Sequence, residues 1–130
     1  MSTVVDLVMD DKVWGKTSCV YRNPTTEFHY IIAKQGGYCS RHKHRHKWNR
    51  FLVISGKLLV HYYKPGEDKP VFTYTLPPGS VLDVPPGIEH RFEAGENSQA
   101  IEVYWTNEID PSDIERHDSG GVIDDTSSSR

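Results

Sequence analysis

The residues with the most evident chemistry lie between Gly36 and Gly56, GGYCSRHKHRHKWNRFLVISG, where His42, His44 and His46 occupy alternate positions. Residues two apart in an extended strand share a face, so alternation predicts three imidazoles on one side. Arg41, Lys43, Arg45 and Lys47 are then expected on the other. Clustered neutral imidazoles suit Zn, Fe, Ni or Cu. The same spacing also describes a basic surface strand with solvated histidines, since a short His-rich tract is compositional evidence only.

A second segment, Gly79 to Ala94 (GSVLDVPPGIEHRFEA), places His90 three residues after a Pro-Pro-Gly turn. Proline presets φ and glycine supplies the permissive position, so His90 is expected at the start of the next strand. Proton-transfer chemistry would also need a base, and Glu102, His46 and His61 are the candidates. Glu102 sits between Ile101 and Val103. If those two pack an outer layer, alternation turns Glu102 inward; otherwise it is a surface carboxylate. His61 in LLVHYY reads better as a structural imidazole, and His29 and His117 as structural or surface residues.

The elements that must position these groups are short strands. Residues 3–9, 13–21, 27–34, 50–54, 57–64, 71–76, 80–84, 89–93 and 99–105 are rich in β-branched and aromatic residues. Turn signals such as Asn23-Pro24, Gly36-Gly37, Ser55-Gly56 and Pro77-Pro78-Gly79 separate them. Ser55-Gly56 is read as a tight hairpin joining two paired strands. This spacing predicts an all-β sandwich or barrel. One helical turn is expected near Asp110-Pro111, an N-cap candidate followed by proline. Residues 119–130, SGGVIDDTSSSR, read as a disordered tail.

The chain has 130 residues, the size of one domain. Fifteen basic and 18 acidic residues give a net charge of −3, which argues against a nucleic-acid partner driven by bulk electrostatics. The local basic run from Arg41 to Arg50 reads as the outer face of a metal strand or as an anion-attracting rim. No apolar run approaches the ~18 residues of a membrane span, and no signal peptide is visible, so a cytoplasmic location is expected. In that setting Cys19 and Cys39 are expected to be free thiols.

In both segments the glycine, proline and histidine spacings resemble the two motifs of the cupin superfamily. The resemblance implies a single-domain double-stranded β-helix, or jelly-roll barrel, over residues 1–118. It places metal ligands at His42, His44, Asn49 and His90, for a divalent transition metal of the Zn, Fe, Mn or Ni type. It also favours His42 over His46 as a ligand. The family usually carries a carboxylate where this chain has Asn49 and asparagine where it has Ala94.

More narrowly, Val13-Trp14-Gly15, His44 to Gly56, Gly87 to Arg91, Ile101-Glu102-Val103 and Asp113 to Asp118 are similar to the cupin domain of type II mannose-6-phosphate isomerases and mannose-1-phosphate guanylyltransferases. That resemblance implies an isomerase or epimerase acting on a sugar phosphate or similar small polar carbonyl compound, with Glu102 and His46 as candidate catalytic residues and homodimerisation as an expectation. Asn49 in place of the carboxylate leaves two alternatives open. One is a non-catalytic module binding a sugar or small ligand, and the other is a three-histidine iron dioxygenase.

Overall fold

Alternation of buried and exposed residues marks the central strands around the site, and the computed structural model describes residues 1–123. Thirteen strands follow in order: β1 (Asp10–Lys12), β2 (Gly15–Asn23), β3 (Thr26–Ala33), β4 (Gly37–Tyr38), β5 (His42–Lys43), β6 (Trp48–Ser55), β7 (Leu58–Tyr63), β8 (Phe72–Leu76), β9 (Val81–Val84), β10 (Glu89–Ala94), β11 (Ser98–Trp105), β12 (Glu115–Arg116) and β13 (Gly121–Val122). One sheet has the order β1-β2-β3-β11-β6-β9. The other runs β12-β5-β10-β4-β13, with β7 bridging β10 and β8. All pairings are antiparallel. The two sheets enclose a core that includes Trp14, Ile31, Phe51, Val53, Leu58, Val60 and Phe92. The fold is the expected all-β double-stranded β-helix.

Four expectations change. Residues 3–9 form no strand; Val4, Val5 and Val8 are exposed, and the sheet edge is β1 instead. Ser55-Gly56 is not a hairpin turn, because β6 pairs with β11 and β9 whereas β7 pairs with β10 and β8. The chain crosses there from one sheet to the other. No helix forms among the described residues. Asp110–Asp113 is a hydrogen-bonded turn, with Asp113 N–H donating to the Asp110 carbonyl at 3.0 Å. The Asp110 carboxylate accepts from the Ser112 N–H and hydroxyl in the manner of a cap, but the chain leaves the turn at Asp113 and no helix follows. Finally, Gly121 and Val122 pair with Tyr38 and Gly37, so strand pairing runs past residue 118. The remainder of the expected tail, residues 124–130, lies outside the described residues.

The sheet crossing gives a stability prediction. Gly56 has φ +81°, and a Cβ there would lie 2.3 Å from the Asn97 carbonyl oxygen. Gly56→Ala must strain the backbone and displace Asn97 together. We expect a loss of about 2 kcal/mol or more in urea unfolding.

Candidate metal centre

The histidine tract does not stay a strand. Only His42 and Lys43 belong to β5, and the chain then bends at Arg45 and His46. The cause lies far along the sequence. The Asp113 carboxylate accepts three consecutive backbone N–H groups: Arg45 at 2.7 Å, His46 at 2.9 Å and Lys47 at 3.2 Å. Burial alone would raise the Asp113 pKa, but these donors more than offset it and hold it below the usual carboxylate range. Wrapping the chain around one carboxylate shifts the alternation by one residue. His42 and His44 face inward before the bend; Lys47, Asn49, Phe51 and Val53 face inward after it. His46 is exposed, so the expected third imidazole on the inner face is replaced there by Lys47.

His90, at the second position of β10, stands opposite His42 in register. His42, His44 and His90 are all buried, with ring centroids 4.6 to 5.5 Å apart, and they offer ligand atoms within 4.8 Å of one another. Each Nδ1 lies on a backbone carbonyl: His42 on Ser40 at 2.6 Å, His44 on Asp113 at 2.8 Å and His90 on Ile88 at 2.9 Å. A carbonyl can only accept, so each Nδ1 carries the proton and each Nε2 presents a lone pair. All three Nε2 atoms are buried without a hydrogen-bond partner, as are both amide atoms of Asn49. Buried polar atoms are rarely left unpaired, and carbonyl-locked imidazoles are the usual arrangement of histidines that hold a metal. The donor set therefore fits a divalent transition metal held by His42, His44 and His90. The side chain of Asn49 lies fully buried on the adjacent strand β6.

Burial drives the imidazoles toward the neutral form that binds metal. His44 and His90 are each lowered to about 4, chiefly by desolvation, and His42 is lowered well below 6.5 by desolvation and by its two neighbours. Protons therefore compete weakly with metal. Loading should stay level from pH 8 to about 5 and fall only near pH 4, as read by zinc retention on dialysis; a midpoint near the ordinary value of 6.5 would contradict this. In the metal-free protein the unfolded chain takes up these protons first as pH falls through 6.5. Stability should then drop by about 1.4 kcal/mol per pH unit for each imidazole until the folded pKa is reached.

His42 and His44 open onto a cavity of about 580 Å³, whose wall also holds Glu27, His29, Lys47, Glu102 and Tyr104, and His90 lies buried behind them. Glu102 does face inward, because Ile101 and Val103 lie on the outer face of β11. Burial pushes its carboxyl up to about 7, while the Tyr104 hydroxyl, the Asn49 amide and Lys47 oppose the shift. The Asn49 amide acts from outside ordinary hydrogen-bond geometry. Burial lowers the Lys47 pKa, and surrounding acids, Glu27 first, oppose that. His61 is held by Thr73 and Glu93 on the other sheet, as expected of a structural imidazole.

Sequence reasoning missed Glu27, His29 and Lys47. In Glu27-Phe-His-Tyr-Ile-Ile-Ala33 the large apolar set Phe28, Tyr30 and Ile32 looks like the core face. It faces out instead, with Phe28 and Ile32 exposed, while Glu27 and Ile31 are buried. Glu27, His29 and Cys19 also bring ligand atoms within 4.8 Å of one another, but Glu27 already accepts from Arg22 Nε at 2.6 Å. Both cysteines are free; Cys39 is buried, which raises its thiol to about 12.

Among the described residues, no helix is long and apolar enough to cross a membrane. The model of the cupin domain matches residues 28–107. A search of curated proteins finds no match. Among solved structures, the capsular polysaccharide assembling protein CapF from Staphylococcus aureus superposes with a TM-score of 0.72 at 25% identity, over 87% of this chain and 34% of CapF. This chain thus spans about a third of that protein. KdgF from Halomonas sp. gives a TM-score of 0.65 at 20% identity, covering 76% of this chain and 87% of KdgF. Oxalate decarboxylase from Lactobacillus farciminis gives 0.69 at 17% identity, covering 90% and 38%. These last two show the shared fold alone. With both histidine-bearing segments inside the matched region and the two sheets closing around them, the chain belongs to the cupin family.

Proposed function

We propose that this cupin is a metal-dependent enzyme of the isomerase or epimerase type, acting on a sugar phosphate or a similar small polar carbonyl compound. The observation that carries the reading is a cluster of three partnerless imidazole Nε2 atoms, two of them (His42 and His44) on the same cavity wall as the Glu102 carboxyl, whose pKa burial raises to about 7. CapF's description as a capsular polysaccharide assembling protein and the resemblance to mannose-6-phosphate isomerases support the carbohydrate class.

His42, His44 and His90 would hold a divalent metal, which would supply Lewis-acid polarisation of a substrate carbonyl oxygen. Glu102 is populated in both protonation states near neutrality. It can therefore take a proton from the carbon beside the carbonyl and return one to the neighbouring carbon. Tyr104, buried against His44 with ring centroids 5.2 Å apart, limits where the substrate lies. Phe51 and Phe92 close the floor beneath His90 and keep water from that side.

Asn49 favours a second reading. An amide leaves the full metal charge uncancelled where the family usually places a carboxylate, an arrangement that suits a three-histidine iron dioxygenase or a binding module. One experiment separates the readings. The purified protein is loaded with Zn, Fe(II), Mn or Ni and screened with sugar phosphates for aldose–ketose exchange, with oxygen uptake followed in parallel. Chelator-sensitive exchange supports the isomerase and oxygen uptake the dioxygenase. Tight sugar binding with no turnover under any metal supports the module.

A further inference from the structure

The basic run between Arg41 and Arg50 is charge-paired at every cation but one. Arg41 meets Glu89 at 2.5 Å, Lys43 meets Glu115 at 3.6 Å, Arg45 meets Glu115 at 2.7 Å, and Arg50 meets Asp83 at 2.6 Å. Among the described residues, Lys47 Nζ has neither a carboxylate nor a hydrogen-bond acceptor as partner. Yet Lys47 is 5% exposed, and it lines the cavity. Its ammonium rests 4.3 Å from the centroid of the Tyr104 ring. His44 packs against the same ring at a steep angle, with centroids 5.2 Å apart.

At the cavity wall the ammonium is partly desolvated without a hydrogen-bonded counter-charge, which is unfavourable, and an aromatic face returns only part of the loss. The lysine is not there to neutralise Glu27 either, since Arg22 already does so. We propose that Lys47 captures the anionic end of the cavity's ligand. One carboxylate or phosphate oxygen docks on Nζ, while the other end of the same small molecule faces His42, His44 and His90. An arriving oxyanion supplies the charge-assisted hydrogen bond that the free protein lacks. The class this selects is short and two-ended, with one oxyanion at a ligand's length from a carbonyl or hydroxyl. This rests on the cavity being the ligand site, as the proposed function does, but it requires neither metal loading nor turnover.

The test is an NMR titration of protein carrying ¹³C-labelled lysine, metal-free and zinc-loaded, with acetate, inorganic phosphate and neutral acetamide as probes. The Lys47 signal, identified by its loss in Lys47→Met, should shift saturably with acetate, phosphate or both, and not with acetamide. Which anion shifts it separates carboxylate from phosphate ligands. Lys47→Met should weaken anion binding tenfold or more, and Lys47→Arg should restore part of it. Lys47→Met should also melt no lower than the wild type, because methionine keeps the packing over Tyr104 and removes a partly desolvated charge that has no hydrogen-bonded partner. A Lys47 signal unmoved by both anions, or equal anion affinity in wild type and Lys47→Met, would overturn the proposal. So would a Lys47→Met variant that melts lower while binding anions normally, since that marks a structural lysine. If the methionine variant does not fold, the wild-type titration decides alone, with the signal identified in Lys47→Arg. Saturable anion binding at Lys47 without turnover under any metal sinks the enzyme reading and leaves this one standing; turnover with a silent Lys47 does the reverse.

Discussion

His90→Ala should abolish useful metal binding while leaving a folded barrel. A structural zinc site draws about 10–16 kcal/mol from four ligands, so one ligand is worth roughly 2.5–4 kcal/mol, or about a hundredfold to a thousandfold in affinity. His90 should be at the upper end. It is 1% exposed, its Nδ1 is locked by Ile88, and no neighbouring side chain replaces its Nε2. The readout is thermal unfolding with and without zinc. At a thousandfold excess over Kd, a bound ion stabilises the wild type by about 4 kcal/mol, which raises its Tm by roughly 10 °C or more. The variant should show almost none of that shift, and its metal-free melt should remain cooperative. An unchanged zinc response in His90→Ala would remove the metal centre.

Glu102→Gln should lower turnover by about 10²–10⁴-fold, the usual contribution of a positioned general base, with metal content unchanged. The substitution is nearly isosteric and the site buried, so the barrel tolerates it. The pH profile gives the sign. With its carboxyl raised to about 7 by burial, the wild type loses the basic form as pH falls through 7. Activity should therefore decline on the acid side of neutrality, and Glu102→Gln should lack that limb. Aldose–ketose exchange measured from pH 5.5 to 8.5 checks both points. Full activity in Glu102→Gln would move the proton-transfer role elsewhere on the cavity wall.

Much of this was legible in the sequence wherever alternation persists. His42-x-His44 and the turn before His90 share an interior because two short extended segments, fixed by glycine and proline, lie in register across β5 and β10. For Glu102 the apolar flanks left an inward and a surface carboxylate both open, because they do not say which face of β11 packs inward. What could not be read was the bend at Arg45 and His46. Its cause, Asp113, is separated from it by 66 to 68 residues, and nothing local marks the shift in alternation. That one contact sends His46 outward and Lys47 inward, reversing two expectations at once. Glu27 and His29 were hidden differently: the apolar residues beside them form an outer face, so the rule that apolar side chains point to the core gives the wrong side of β3. The crossing at Gly56 was obscured because a tight turn within one sheet and a step between two sheets use the same glycine chemistry.

The three imidazoles are not fastened alike. His42 and His90 are each oriented by the carbonyl two residues earlier, whereas His44 takes its acceptor from 69 residues away. Two arms of the grip are therefore complete once their own short segments exist. The third waits for the Asp110–Asp113 turn to arrive, late in the chain. A growing or clipped polypeptide without that turn would hold a cation by two arms only. Ion retention thus becomes a gauge of closure, reporting whether the Asp110–Asp113 turn has docked against His44.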